Sequence, residues 1–136
     1  MLSITIELER ARVPVTVMKL NGELDAATYQ DVINRAAELI EQGAGHILLD
    51  MGELTYMGSS GLFAIHSVAM MLRGEAPPDP EGGWGAIHEA EPRDSEKVDE
   101  LKLLNPLPQC ERVLDRTGMK RFFETYDDRR AALESF

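Results

Sequence analysis

The chain of 136 residues is poor in three things: cysteine, long apolar runs and basic charge. Its one cysteine, Cys110, has no internal partner, so a disulfide-stapled scaffold is excluded and a reducing cytoplasm is the expected compartment. No run approaches the ~18 apolar residues that a membrane span needs, and the first residues alternate instead of building a signal-peptide core. Membrane insertion is therefore not expected. With 24 acidic residues against 14 basic, the net charge is −10. A surface that acidic is ill suited to holding nucleic acid phosphates or an anionic bilayer through a general field. The three histidines (His46, His66 and His88) and the lone cysteine show no metal-ligand spacing, so neither a metal nor a cofactor is expected.

What is present is ordinary globular material. Hydrophobic residues make up 43% and charged residues 28%, and a chain of this length buries well over half of its unfolded surface. One domain spanning 1–136 is expected. The charge is uneven, however. Between Glu75 and Glu100 nine acids face only Arg93 and Lys97, together with Pro77, Pro78, Pro80, Pro92 and the Gly82-Gly83 pair. Like charge, proline and few apolar side chains describe a solvated insertion at about 75–98. Trp84 within it reads either as a partner anchor or as a ring folded back on the domain. Outside this segment the charges nearly balance.

Along the rest of the chain the apolar spacing changes period several times. Ile4, Ile6 and Leu8 alternate with polar residues, as in a strand with one wet face. Val13 to Leu20 reads as a second strand, with Pro14 at its start, and Asn21-Gly22 as a turn. From Thr28 to Gln42 the apolar positions Tyr29, Val32, Ile33, Ala36, Leu39 and Ile40 have helical spacing. Thr28 and Asp31 resemble a capping box at the helix start. Gly43 and Gly45 stop the helix. Ile47-Leu48-Leu49 reads as a buried strand, Met51 to Met57 as a loop, and Leu62 onward as a second helix ended by Gly74. Leu101 to Leu104 is a strand, Val113-Leu114 sit on a short helix ended by Gly118, and Phe122-Phe123 lie in a last strand. Asp127 or Asp128 then caps a final helix over 129–136. The order β-β-α-β-α-β-α-β-α implies an α/β fold: a mixed sheet of about five strands with about four helices packed against it. Cys110 and the methionines at 57, 70 and 71 read as core fill.

The segment Met57-Gly58-Ser59-Ser60-Gly61-Leu62 lies at the mouth of the second helix. One reading makes Ser59 or Ser60 a simple N-cap, stabilising the helix by ~1 kcal/mol. The other starts from the same geometry. A helix N-terminus offers unpaired N–H groups and the positive end of a dipole, so a serine there can carry a phosphate without melting the helix.

Gly22-Glu23-Leu24-Asp25, a helix, Ile47-Leu48-Leu49-Asp50 and Leu54-Thr55-Tyr56-Met57-Gly58-Ser59-Ser60-Gly61-Leu62 together resemble the STAS domain. The tail agrees through Leu101-Lys102-Leu103-Leu104-Asn105-Pro106, then Val113-Leu114-Asp115-Arg116-Thr117-Gly118, Phe122-Phe123 and Tyr126-Asp127-Asp128. The resemblance covers 1–74 and about 100–136, and it points to the bacterial anti-sigma factor antagonists. It implies a regulated binding module with no catalysis of its own. Its partners would be an anti-sigma factor of the GHKL serine-kinase type and a PPM-type phosphatase. It further implies Ser59 as phosphoacceptor, with Ser60 the alternative. Asp25, Thr28, Met57, Gly58, Ser60 and Gly61 would form the phosphosite loop and partner surface.

Two features depart from the family pattern: Gly58 stands where the family has aspartate, and the acidic insertion replaces a tight connection. The loss of that carboxylate favours an alternative, a STAS scaffold or accessory subunit that is not phosphorylated, in a stress-signalling assembly or a lipid-transport ATPase. A serine hydrolase is disfavoured. It would need a histidine base beside Ser59 or Ser60, and the strand-to-helix Gly-x-Ser-x-Gly elbow is missing.

Overall fold

Alternation at the start of the chain builds an edge, and everything after it packs inward from that edge. The computed structural model describes residues 1–75 and 98–136. These form a five-stranded sheet in the order β1-β2-β3-β4-β5. The strands are β1 (Leu2–Arg10), β2 (Pro14–Leu24), β3 (Ile47–Met57), β4 (Val98–Leu104) and β5 (Phe123–Tyr126). β1 is antiparallel to β2, and the remaining pairs are parallel, so the sheet is mixed as expected. The helices are α1 (Tyr29–Glu41), α2 (Ser59–Leu72), α3 (Pro108–Thr117) and α4 (Arg129–Glu134). A 3-10 turn over Met119–Arg121, unexpected from the sequence, precedes β5.

The sheet is buried on both faces. On one side Met18, Leu20, Leu49, Met51, Leu101 and Leu103 pack against Val32, Ala36 and Leu39 of α1, Leu62, Ile65 and Val68 of α2, and Cys110 and Leu114 of α3. On the other, Val15, Val17, Leu48 and Leu104 pack on Ala132 of α4, with Phe136 beside them. α1 has a polar outer face. α2 is buried without a break from Gly61 to Ala69, as a helix covered all round must be.

Several expectations need correction. Asn21-Gly22 is not a turn but the interior of β2, which runs to Leu24. Gly22 takes φ 120° there, and a Cβ would collide with the Met1 carbonyl oxygen. Met51 to Met57 is not a loop but the second half of β3. The β2–β3 register slips between Lys19 and Asn21 and again between Gly22 and Glu23, each time fitting one extra residue into β3. These bulges put the buried side chains at Met51, Leu54 and Met57, and that spacing of three conceals a strand from any search for period two. β4 starts at Val98, which is 3% exposed and whose N–H donates to the Phe122 carbonyl, so the sheet reclaims the end of the expected insertion. Phe122 itself precedes the last strand. Leu8 lies on the same face as Ile4 and Ile6 but does not share their half-burial; it is 79% exposed. The last helix ends at Glu134, and Asp128 is its cap, accepting from the Arg130 N–H at 3.1 Å. Trp84, His88 and the acidic stretch lie outside the described residues.

Candidate functional site

β2 and β3 end together, Leu24 opposite Met57, and the site is built on those two ends. The Gly58 N–H donates to the Leu24 carbonyl at 3.1 Å, tying the start of α2 to the end of β2. The Gly58 carbonyl then accepts from Gly61 N–H at 3.0 Å and Leu62 N–H at 3.4 Å, opening the helix. Gly58, not either serine, therefore occupies the N-cap position, and no side chain caps the helix. Ser59 is the first helical residue and is exposed; Ser60 is half-buried behind it. No acid lies in the first turn of α2. The positive end of the dipole and the unpaired N–H groups of that turn face outward beside the Ser59 hydroxyl.

The two flanking glycines have different reasons. Gly58 has φ −93° and ψ −173°, extended backbone open to any residue. A Cβ there would sit 3.1 Å from the hydroxyl of Tyr56, a half-exposed side chain able to swing aside. Gly61 is sterically required. A Cβ on it would lie 2.6 Å from Met57 Cγ and 3.0 Å from Leu24 Cγ. The absence of a side chain at Gly61 lets α2 approach the ends of both strands, and Met57 and Leu24 fill the space beneath it.

Asp25 follows Leu24 and holds its own loop. Its carboxylate accepts from Ala27 N–H at 3.0 Å and lies 3.1 Å from Thr28 Oγ1. Thr28 does not make the expected capping box with Asp31. Its buried hydroxyl turns back, accepting from Asp25 N–H at 3.0 Å and lying 2.8 Å from the Glu23 carbonyl. The loop from Glu23 to Thr28 is thus clamped beside the mouth of α2. Tyr29 of α1 meets Phe63 of α2 edge-to-face at 6.1 Å, holding the two helix starts in register. Asp25, Thr28, Met57, Gly58, Ser59, Ser60 and Gly61 all fall at this junction. Tyr56 belongs with them. An aromatic read as lying in a loop gave no such signal, because the bulge that turns it outward is invisible in the sequence.

Among the described residues, neither histidine serves Ser59. His46 precedes β3 at the opposite end of that strand, its ring edge-on to Phe136 at 5.6 Å. His66 is 5% exposed, seven residues and so about 10 Å along α2. Cys110 is a core residue; its Sγ donates to the Leu54 carbonyl at 3.5 Å, and burial pushes the thiol pKa up.

Comparison with known proteins agrees with this fold. The family model for the STAS domain matches residues 6–75. A Thermotoga maritima structure described as an anti-sigma factor antagonist aligns at TM-score 0.71 and 18% identity, over 96% of this chain and 92% of that one. An anti-sigma factor antagonist from Mycobacterium paratuberculosis aligns at 0.62 and 19%, over 96% and 92%. The Bacillus cell fate determinant SpoIIAA, in its phosphorylated form, aligns at 0.59 and 21%, over 95% and 96%.

Proposed function

The chain belongs to the STAS domain family, and we propose that it is an anti-sigma factor antagonist switched by phosphorylation of Ser59. In the unphosphorylated state the junction of Asp25, Thr28, Met57, Gly58, Ser60 and Gly61 docks on an anti-sigma factor of the GHKL serine-kinase type. Docking frees a sigma factor for transcription. Phosphate on Ser59 adds nearly two negative charges to the centre of that surface and breaks the complex. A PPM-type phosphatase restores the hydroxyl. The chain is a phosphoprotein and signalling partner in the cytoplasm, not an enzyme. No described helix is long and apolar enough to cross a membrane.

The observation that carries this reading is the exposed Ser59 hydroxyl at the first position of α2, on a backbone already set for an anion. The solved structures with this fold whose names are anti-sigma factor antagonists support the same role. A second reading, the constitutive scaffold, draws on Gly58, which leaves the helix mouth without a carboxylate to orient the acceptor. Calorimetry against the cognate anti-sigma kinase tests the proposal. Ser59→Asp is expected to weaken binding at least tenfold through repulsion and desolvation, and equal affinity of the two forms would refute the switch.

A further inference from the structure

The sheet has two edges of unequal character. β5 is four residues long and too short to template another strand. β1 is nine residues long, pairs among the described residues with β2 alone, and keeps its register from Leu2 opposite Gly22 to Arg10 opposite Pro14 without a bulge. It contains no proline and no lysine. Short length, a bulge, proline and lysine are among the devices that blunt an edge; β1 has none of these, and its charges are Glu7, Glu9 and Arg10.

The direction of its free backbone groups is fixed by the pairing. At one end of the hairpin the Glu23 N–H donates to the Met1 carbonyl, and at the other the Ala11 N–H donates to the Val13 carbonyl. Odd-numbered residues of β1 therefore bond to β2. The N–H and C=O groups of Leu2, Ile4, Ile6, Leu8 and Arg10 point away from the sheet. Pro14 lies opposite one of these even residues, so its missing N–H costs the β1–β2 ladder nothing.

From this we infer that β1 is a homodimer interface, pairing antiparallel with β1 of a second copy about a twofold axis at Ile6. In that register Ile6 faces its own mate, Ile4 faces Leu8, and Leu2 faces Arg10. All are even residues, so every outward group from Leu2 to Arg10 is paired. The apolar face runs Ile4, Ile6, Leu8 on one copy against Leu8, Ile6, Ile4 on the other, and it covers the Leu8 side chain that a lone copy leaves 79% exposed. On the other face Ser3 meets Glu9 and Thr5 meets Glu7, so no acid opposes an acid. Moving the register two residues toward the hairpin would set Glu7 against its own mate; moving it two the other way shortens the ladder and strands Arg10. The edge is also neutralised in a chain of net charge −10: the Arg129 guanidinium bridges Glu7 at 3.2 Å and Glu9 at 2.8 Å. Charge pattern, apolar face and hydrogen-bond phase select the same partner, another copy of the chain. Because β2 lies between β1 and β3, the pairing leaves both Ser59 hydroxyls open.

Sedimentation equilibrium on the full chain tests this. The wild type is expected to show a monomer–dimer equilibrium. Thr5→Glu, an exposed substitution that places an acid opposite Glu7 twice, should weaken it at least tenfold, and Thr5→Lys should tighten it. Leu8→Pro removes an outward N–H that β2 does not use and should abolish the dimer, with circular dichroism confirming the fold. A wild-type monomer at every concentration up to the millimolar range would overturn the inference. So would a dimer whose affinity ignores the charge at position 5.

Discussion

Gly61 sits on Met57 so closely that a single added carbon would lie 2.6 Å from Met57 Cγ. The contact sets how near α2 comes to the strand ends, and so where Ser59 is presented. Gly58, three residues earlier, carries no such constraint. The two glycines of one motif thus have separate duties, one in packing and one at the helix N-cap.

Gly61→Ala is accordingly expected to destabilise the fold by about 1–3 kcal/mol, the usual cost of overpacking a filled site. Gly58→Ala should change stability by no more than ~0.5 kcal/mol, since only the Tyr56 ring has to give. Urea denaturation of both variants checks the contrast. Equal losses would show that the packing at Gly61 relaxes freely.

Lys102 stands in the apolar run of β4 at 4% exposure. Its ammonium donates to Ser135 O and Oγ at 2.9 Å each, lies 3.3 Å from Glu124, and stacks over Phe136 at 4.8 Å. Lys102→Met keeps the stem but leaves those acceptors unanswered. We expect a loss of about 1–3 kcal/mol, discounted because Glu124 is partly hydrated. Faster hydrogen exchange in α4 should accompany it.

Much of the fold was legible because burial follows period: Val32, Ala36 and Leu39 mark α1, and Ile47-Leu48-Leu49 marks the centre of the sheet. What escaped had physical causes. Bulges opposite Asn21 and Glu23 spread the buried residues of β3 to every third position. Gly22 mimicked a turn while serving a close approach to Met1. At the site, Gly58-Ser59-Ser60-Gly61 was visible as a motif, but which residue caps the helix depends on the Gly58–Leu24 bond, a contact between distant strands. Spacing assigns Thr28 to its own helix, whereas its hydroxyl serves the loop before it. Lys102 gave no sign of burial, since its partner Ser135 is remote in sequence.

Burial raises the Cys110 pKa, and the sign of its effect on stability follows. The unfolded chain loses the thiol proton at lower pH than the folded one. Stability is thus fully present below the unfolded value, ~8.5, and is lost as pH rises toward the raised folded value. The difference in unfolding free energy between wild type and Cys110→Ala should be constant up to about pH 8 and shrink above it. A flat difference to pH 10 would contradict the burial of the thiol. In the folded state Cys110 should also resist thiol reagents.

The most direct test of the account is single-turnover phosphorylation by the cognate anti-sigma kinase, with the modified residue located by mass spectrometry. Phosphate is expected on Ser59 in the wild type and none in Ser59→Ala. A faster step is expected in Gly58→Asp, because a carboxylate beside the hydroxyl orients it, and misplacing a reacting group can cost on the order of 100-fold in rate. The extended backbone at Gly58 admits that aspartate. Phosphate on Ser60 would move the acceptor by one residue, and an intact complex with no phosphate on any serine would contradict the switch and favour the scaffold.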